Sequence, residues 1–300
     1  MSYAPIALFV YNRPDHVRNV IWSLVKNELA IKCEIFIYSD AAKGKEDEKY
    51  VQEVRDYINS INGFSKVHII EREKNWGLAQ NIIDGVGNLI SKYGRIIVLE
   101  DDLILSPYFL QFMNDALCIY ENEDKVAHIH GCEFFNDTTL PDTFLIKWAG
   151  SWGWGTWERS WKLFNEDGRF LLEELKNRRL NKTFDFNSAY GYTRMLQKQV
   201  EGKNNSWAIR WNASLFLKDK LSLNVGKSLV RNVGFDGSGT HCGDDNLYDS
   251  SLFMNRLQVN KIQPLNEDLY ARKVIENYYR RTNSFKAKLF RRLKKEINRL

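Results

Sequence analysis

Three consecutive acids, Glu100, Asp101 and Asp102, follow the apolar run RIIVL of residues 95–99 without a break. Carboxylates, water and diphosphate oxygens together make the oxygen-rich surroundings that Mg²⁺ or Mn²⁺ prefers. A divalent ion there would neutralise a nucleoside diphosphate and stabilise it as a leaving group. A solvated turn capping the helix near Pro107 is the bland alternative for the triplet taken alone. Two other polar groups stand at the ends of apolar runs: Tyr11–Asn12–Arg13 after residues 5–11, and Asp40 after EIFIYS. Asp40 suits an acceptor for a uracil N3–H, and Arg13 suits a base or a phosphate. The segment NWGLAQN (75–81) opens a helix, where Gly77 permits close backbone approach and the helix N-terminus favours an anion. A plain loop-to-helix cap explains that segment as well. No GxGxxG and no GxxxxGK[ST] is present, which excludes a dinucleotide fingerprint and a P-loop.

The elements that must position these residues alternate. Strands are predicted at 5–11, 34–39, 66–71 and 95–99. Helices are predicted from Pro14 (Val17, Val20, Ile21 and Leu24 inward), at 46–59 and at 77–92. Such alternation implies an α/β fold: a mostly parallel, doubly wound sheet with helices on both faces and right-handed crossovers. Ligands bind such sheets at the carboxyl ends of the strands, where the polar residues above stand. A helix from Pro107 to about Tyr120 and a short strand at 126–129 follow. Residues 165–205 read as helical and polar. Five of the nine tryptophans crowd into residues 148–161. Trp154, Trp157 and Trp161 share helical spacing, which favours packing for most of them. One or two near Gly153 and Gly155 suit sugar stacking.

Composition fits a globular chain, with 44% hydrophobic and 27% charged residues, and excludes disorder, collagen and coiled coil. Cys33 and Cys118 lie in apolar runs and read as core thiols. With no CxxC pair, a zinc ribbon is excluded and a reduced, cytosolic setting fits. The N-terminus reads as neither signal peptide nor membrane span. Residues 280–300 hold nine Lys/Arg and one acid, so the remainder is net −3 against +5 for the whole chain. In that tail Phe285, Leu289, Leu293 and Ile297 recur at steps of four, the pattern of a basic amphipathic helix at an anionic membrane surface. A partner-docking or solvated helix is the alternative. No nucleic-acid-binding motif is present.

The segments FVYNRPDH, IYSDA, NWGLAQN, VLEDDLILSP, SWGWGTWERSW and NVGFDGSGTH, in this order, resemble a GT-A-fold glycosyltransferase over about residues 5–245. The resemblance is to bacterial family-2-like transferases of surface polysaccharide and, more distantly, to the N-glycan branching N-acetylglucosaminyltransferases. It implies metal binding by Asp102, with Glu100 and Asp101 on ribose, sugar or metal-bound water. It implies uridine contacts from Tyr11, Asn12, Arg13 and Asp40, and a donor pocket lined by Gly77, Leu78 and Asn81. It places His241 near the metal or diphosphate. It also implies a Mn²⁺ or Mg²⁺ cofactor, a nucleotide-sugar donor and a glycan or lipid-linked acceptor. Work at the cytoplasmic face of the membrane then follows from the tail. The chain divides into a nucleotide-sugar half (1–130), an acceptor and catalytic half (131–265) and a basic tail (266–300).

One departure matters. Inverting relatives carry an Asp general base where this chain has Ala208, in WAIRW (207–211). Glu158, then Asp244 and Asp245, are the substitutes. Without any base, retention or a degenerate, non-catalytic protein follows. A sugar-phosphate nucleotidyltransferase ranks lower, because only Arg13 and Arg18 are available to hold a triphosphate at the N-terminal loop.

Overall fold

The computed structural model describes residues 3–235 and 250–284. Its centre is an eight-stranded sheet. The strands are β1 (Ile6–Val10), β2 (Glu34–Ser39), β3 (Lys66–Glu71), β4 (Arg95–Glu100), β6 (Val126–His130), β7 (Thr143–Ile146), β8 (Trp154–Trp157) and β9 (Leu221–Val225). Their order is β3-β2-β1-β4-β8-β6-β9-β7. A two-stranded ribbon pairs β5 (Leu103–Leu105) with β10 (Val230–Asn232).

β1 is buried along its whole length because both sheet faces are covered. Ile6, Leu8 and Val10 point into one core with Val17, Val20 and Leu24 of α1 (Pro14–Val25) and Val54 and Ile58 of α2 (Lys45–Ile58). Ala7 and Phe9 point into a second core with Ile82, Val86 and Leu89 of α3 (Leu78–Tyr93). The apolar register of each helix is the one its sequence spacing demands. α4 (Phe109–Ile119) packs on the first core.

Strands β1 to β4 are parallel, and their register sets their ends side by side: Phe9 pairs with Tyr38 and with Glu100. That alignment creates the polar edge. β8 then runs antiparallel to both β4 and β6. WGTW is therefore a strand and not part of a helix. Gly155 makes this possible, since a Cβ there would lie 2.9 Å from Met113 Cε and 3.0 Å from the Ile96 carbonyl oxygen. Trp148, Trp154 and Trp157 are buried, as packing predicts.

The polar helical stretch forms α5 (Glu158–Trp161), α6 (Gly168–Asn177), α7 (Asn181–Phe184) and α8 (Tyr192–Val200). WAIRW begins α9 (Trp207–Leu217), which is buried almost all round because α6, α8 and the tryptophan cluster enclose it. α10 (Leu269–Thr282) buries Ala271, Ile275, Tyr278 and Tyr279. Arg280 is tied to Glu276 and to the Asn187 carbonyl. The basic run thus starts inside a packed helix, and residues 266–284 belong to the body. The rest of the amphipathic pattern lies outside the described residues. Cys33 is buried as expected, but Cys118 is exposed, on the outer side of α4. No helix among the described residues is long and apolar enough to cross a membrane.

Candidate active site

Arg13 is the last residue before α1, fixed there by Pro14 at the first helical position. Because β1 lies beside β4, its side chain reaches across to the acidic turn. Its Nη2 donates to Asp101 Oδ1 and, at 3.1 Å, to Asp102 Oδ2. Burial works against the charge on Arg13, but the two carboxylates outweigh it and hold the guanidinium above its ordinary pKa. Glu100 stands well above the usual carboxylate range, through desolvation and then its two acidic neighbours. Desolvation also raises Asp101, against the pull of Arg13.

Asp102 sits in a cradle. The Val233 N–H donates to its carbonyl at 2.8 Å, extending the β5–β10 ribbon over the triplet. A Cβ on Gly234 would stand 2.4 Å from Asp102 Oδ2, so only glycine allows this approach. Asp102 Oδ1 and Arg13 Nη1 are both buried, and neither has a hydrogen-bond partner among the described residues.

Among the described residues no three or more His, Cys, Asp or Glu side chains form a closed metal cage. Mg²⁺ and similar ions at nucleotide sites take one or two carboxylates and complete their shell with phosphate oxygens and water. A buried carboxylate oxygen lacking a donor fits that smaller share. Asp102, with Asp101 beside it, would hold such an ion.

Asp40 is almost fully buried and collects three backbone N–H groups: Ala41 and Trp76 on Oδ1, and Gly77 on Oδ2, at 2.8–2.9 Å. It pins the loop before α3 to the end of β2. A carboxylate has about four acceptor positions, so one remains for a ligand N–H. The same bonds already occupy the N–H groups of Trp76 and Gly77. Gly77 is needed for its φ of +73°, and no atom lies within 4 Å of where its Cβ would be. Glycine is thus required here by conformation, and the space beside it is open.

Tyr11 and Asn12 both donate to Asp47, in the first turn of α2, at 2.8 and 2.7 Å. Burial, then the bond to Asp47, pushes the Tyr11 phenol up to about 12. Asn81 is buried, accepts from Arg72 Nε and donates to the Gly77 carbonyl, so it braces the loop. Leu78 is exposed. Arg72 also pairs with Asp84 and stacks 3.8 Å from the Trp76 ring centroid.

The structure does not bring Glu158 to this edge. β8 is antiparallel, Trp157 pairs with Arg95 at the start of β4, and the Glu158 N–H donates to the Gly94 carbonyl. Five residues of strand, roughly 17 Å, separate that end from Glu100. Glu158 instead pairs with Lys162. Asp244, Asp245 and His241 lie outside the described residues. Ala208 stands in the first turn of α9, packed against the tryptophan cluster.

Sequence reasoning missed Asp47, Arg72, Gly234 and Glu133. Glu133 follows β6, which points the same way as β4, so the strand-end rule applied to residues 126–130 would have found it. Its Oε1 accepts from the Phe135 and Asn136 N–H groups, and burial lifts the carboxyl to about 7. The neighbouring Phe134 begins an aromatic row through Trp152 to Phe235, next to Gly234.

A sheet whose parallel half ends in a polar edge, with acids at the central strand, is the arrangement of a GT-A glycosyltransferase. The family model for glycosyl transferase family 2 matches residues 6–185, and the chain belongs to that family. No curated protein matches the chain. Among solved structures it is similar to the mannosyltransferase PcManGT from Pyrobaculum calidifontis, in complex with GDP-Man and Mn²⁺. That match has 12% identity and a TM-score of 0.39, covering 58% of this chain and 47% of that one. It is also similar to S. aureus TarS, with 15% identity and a TM-score of 0.30, covering 46% and 23%. A third match is the bifunctional glycosyltransferase WbbM, with 9% identity and a TM-score of 0.28, covering 44% and 23%. The chain thus spans less than half the length of each.

Proposed function

We propose that this glycosyltransferase moves a sugar from a nucleoside diphosphate donor, UDP-linked, to a hydroxyl of a glycan or lipid-linked glycan in bacterial surface polysaccharide synthesis. The observation that carries the reading is the pair of buried, unpartnered groups at the strand edge, Asp102 Oδ1 and Arg13 Nη1. One wants a cation and the other an anionic oxygen, which is what a metal diphosphate presents. Asp40 offers its last acceptor position to a base N–H and holds the loop beside it. Asp101 and Asp102 hold the Mn²⁺ or Mg²⁺, which when bound supplies neutralisation of the departing diphosphate.

An inverting transfer needs a carboxylate to take the acceptor's proton as the hydroxyl attacks. Glu133 is our assignment, on its place at the same strand edge and on a proton affinity suited to neutral pH. The aromatic row at Trp152 and Phe235 supplies faces for the acceptor sugar. The amphipathic pattern of residues 285–300 motivates placing this work at an anionic membrane face, which co-sedimentation with anionic vesicles checks.

The test is UDP release from a panel of UDP-sugars, with and without EDTA, in wild type and Glu133→Gln. Metal-dependent release that falls at least about a hundredfold in the variant is expected. The wild-type rate should rise with pH through about 7, where Glu133 loses its proton. Ala208 favours one second reading, a degenerate nucleotide-binding protein. Nucleotide binding without release from any donor would establish that reading instead.

A further inference from the structure

The acidic pair in this protein already has a cation. Arg13 Nη2 sits between Asp101 Oδ1 and Asp102 Oδ2, on the same carboxylate whose Oδ1 has no donor among the described residues. A divalent ion entering beside Asp102 therefore meets a positive charge about one hydrogen bond away. Coulomb repulsion at that range is severe inside a protein, so the two cations cannot hold the pair together unchanged. The unpartnered atoms say how the conflict resolves. Asp102 is 8% exposed, and its Oδ1 has no donor among the described residues. Arg13 Nη1 is buried and has no acceptor among the described residues. The guanidinium thus spends Nη2 on the carboxylates and holds Nη1 on the same rigid plane, without an acceptor among the described residues.

We propose that Arg13 is a displaceable counter-ion for the acidic pair, one that yields Asp102 to the divalent cation and takes a phosphate oxygen of the incoming diphosphate on Nη1. This rests on the function proposed above and adds an order to it. The metal alone competes with Arg13 and binds weakly, whereas the metal and the diphosphate together satisfy both sets of groups. Metal and nucleotide then bind with positive coupling, and the coupling is reciprocal. Neither the fold nor the triplet requires this arrangement. It follows from a basic residue at position 13, carried over the edge of β1 by Pro14, reaching the end of β4.

The experiment is titration of Mn²⁺, followed by the loss of its free-ion EPR signal, with and without saturating UDP. It uses the full chain as wild type, Arg13→Gln and Arg13→Lys, with folding checked by circular dichroism. Removing the competing charge should tighten Mn²⁺ alone by about tenfold in Arg13→Gln, the size of one charge-assisted interaction. In that variant UDP should improve Mn²⁺ binding by a smaller factor than in wild type, because only direct ligation of the ion by the diphosphate still links the two. A merely structural Arg13 moves the first quantity the other way, or leaves it unchanged, and either result overturns the proposal. Should Arg13→Gln fail to fold, Arg13→Lys decides. It keeps the charge but lacks the second nitrogen, so Mn²⁺ alone should bind as in wild type while the coupling to UDP falls below the wild-type factor. Wild-type coupling retained in Arg13→Lys contradicts the role given to Nη1. Wild type that binds neither Mn²⁺ nor UDP sinks the functional reading itself, a different result from a wild type that binds both without competition.

Discussion

Lowering the pH should loosen the sheet through the buried histidines of β6, His128 and His130, and the share of His130 can be worked out. His130 is the last residue of β6, fully buried, with Nδ1 bonded to Asn224 Oδ1 at 3.0 Å. Its Nε2 has no partner among the described residues, and Gly150 packs against the ring so closely that a Cβ there would lie 2.3 Å from it. A proton on Nε2 would be a buried charge without an acceptor among the described residues. Burial accordingly lowers the pKa from 6.5 to about 4, against the small opposing effect of the Asn224 bond.

The folded value lies below the unfolded one, so the unfolded chain takes up the proton first as pH falls. Stability from this group is complete above about pH 6.5 and drains away between 6.5 and 4. Between pH 7.5 and 5.0 the loss works out at about 2 kcal/mol, rising toward ~3 kcal/mol below pH 4. Urea denaturation at both pH values, for wild type and His130→Asn, isolates it. The Asn amide keeps the donor to Asn224 and removes the titration. The variant will be less stable throughout, but its drop between the two pH values should be smaller by about 2 kcal/mol. Equal drops in both proteins would refute the argument, because the ring would then be charged, or solvated, in the folded state.

Other consequences follow. Asp40→Asn replaces a carboxylate that accepts three N–H groups with an amide offering one oxygen. It should cost about 1.5–3 kcal/mol in thermal denaturation and weaken UDP binding in the same variant. Gly234→Ala pushes a methyl into Asp102, so Mn²⁺-dependent UDP binding measured by calorimetry should fall while stability drops by only about 1–3 kcal/mol. Glu158→Gln breaks one exposed pair with Lys162 on the far edge of the sheet, and its UDP-release rate should match wild type within about twofold. A tenfold loss there would contradict the direction assigned to β8.

Much of the parallel half of the sheet was readable from the chain. Apolar runs that end in Tyr11–Asn12–Arg13, Asp40 and Glu100–Asp102 do become adjacent parallel strands, because each run is buried on both faces and each crossover is short. What each polar residue does was less readable. Asp40 and Asn81 spend most of their hydrogen bonds on their own loop, and Tyr11 and Asn12 on Asp47, partners set by packing between elements that spacing along the chain does not reveal. The second half was harder still. Trp154, Trp157 and Trp161 recur at helical spacing, yet pairing with β4 and β6 makes the first two part of a strand. The direction of that strand, invisible in the sequence, decides that Glu158 faces away from the site. The β5–β10 ribbon joins residues more than a hundred positions apart, so nothing local announced that Gly234 would cradle Asp102.

The central claim is that the strand-end acids bind a nucleoside diphosphate together with a divalent ion. Its most direct test is the thermal unfolding of wild type and Asp102→Asn with UDP, with and without Mn²⁺. At about 100 times its dissociation constant the ligand adds about 2.7 kcal/mol of stability. The account predicts a rise of several degrees for wild type only when UDP and Mn²⁺ are both present, and none for Asp102→Asn. An equal rise in both proteins, or one that ignores Mn²⁺, would contradict it.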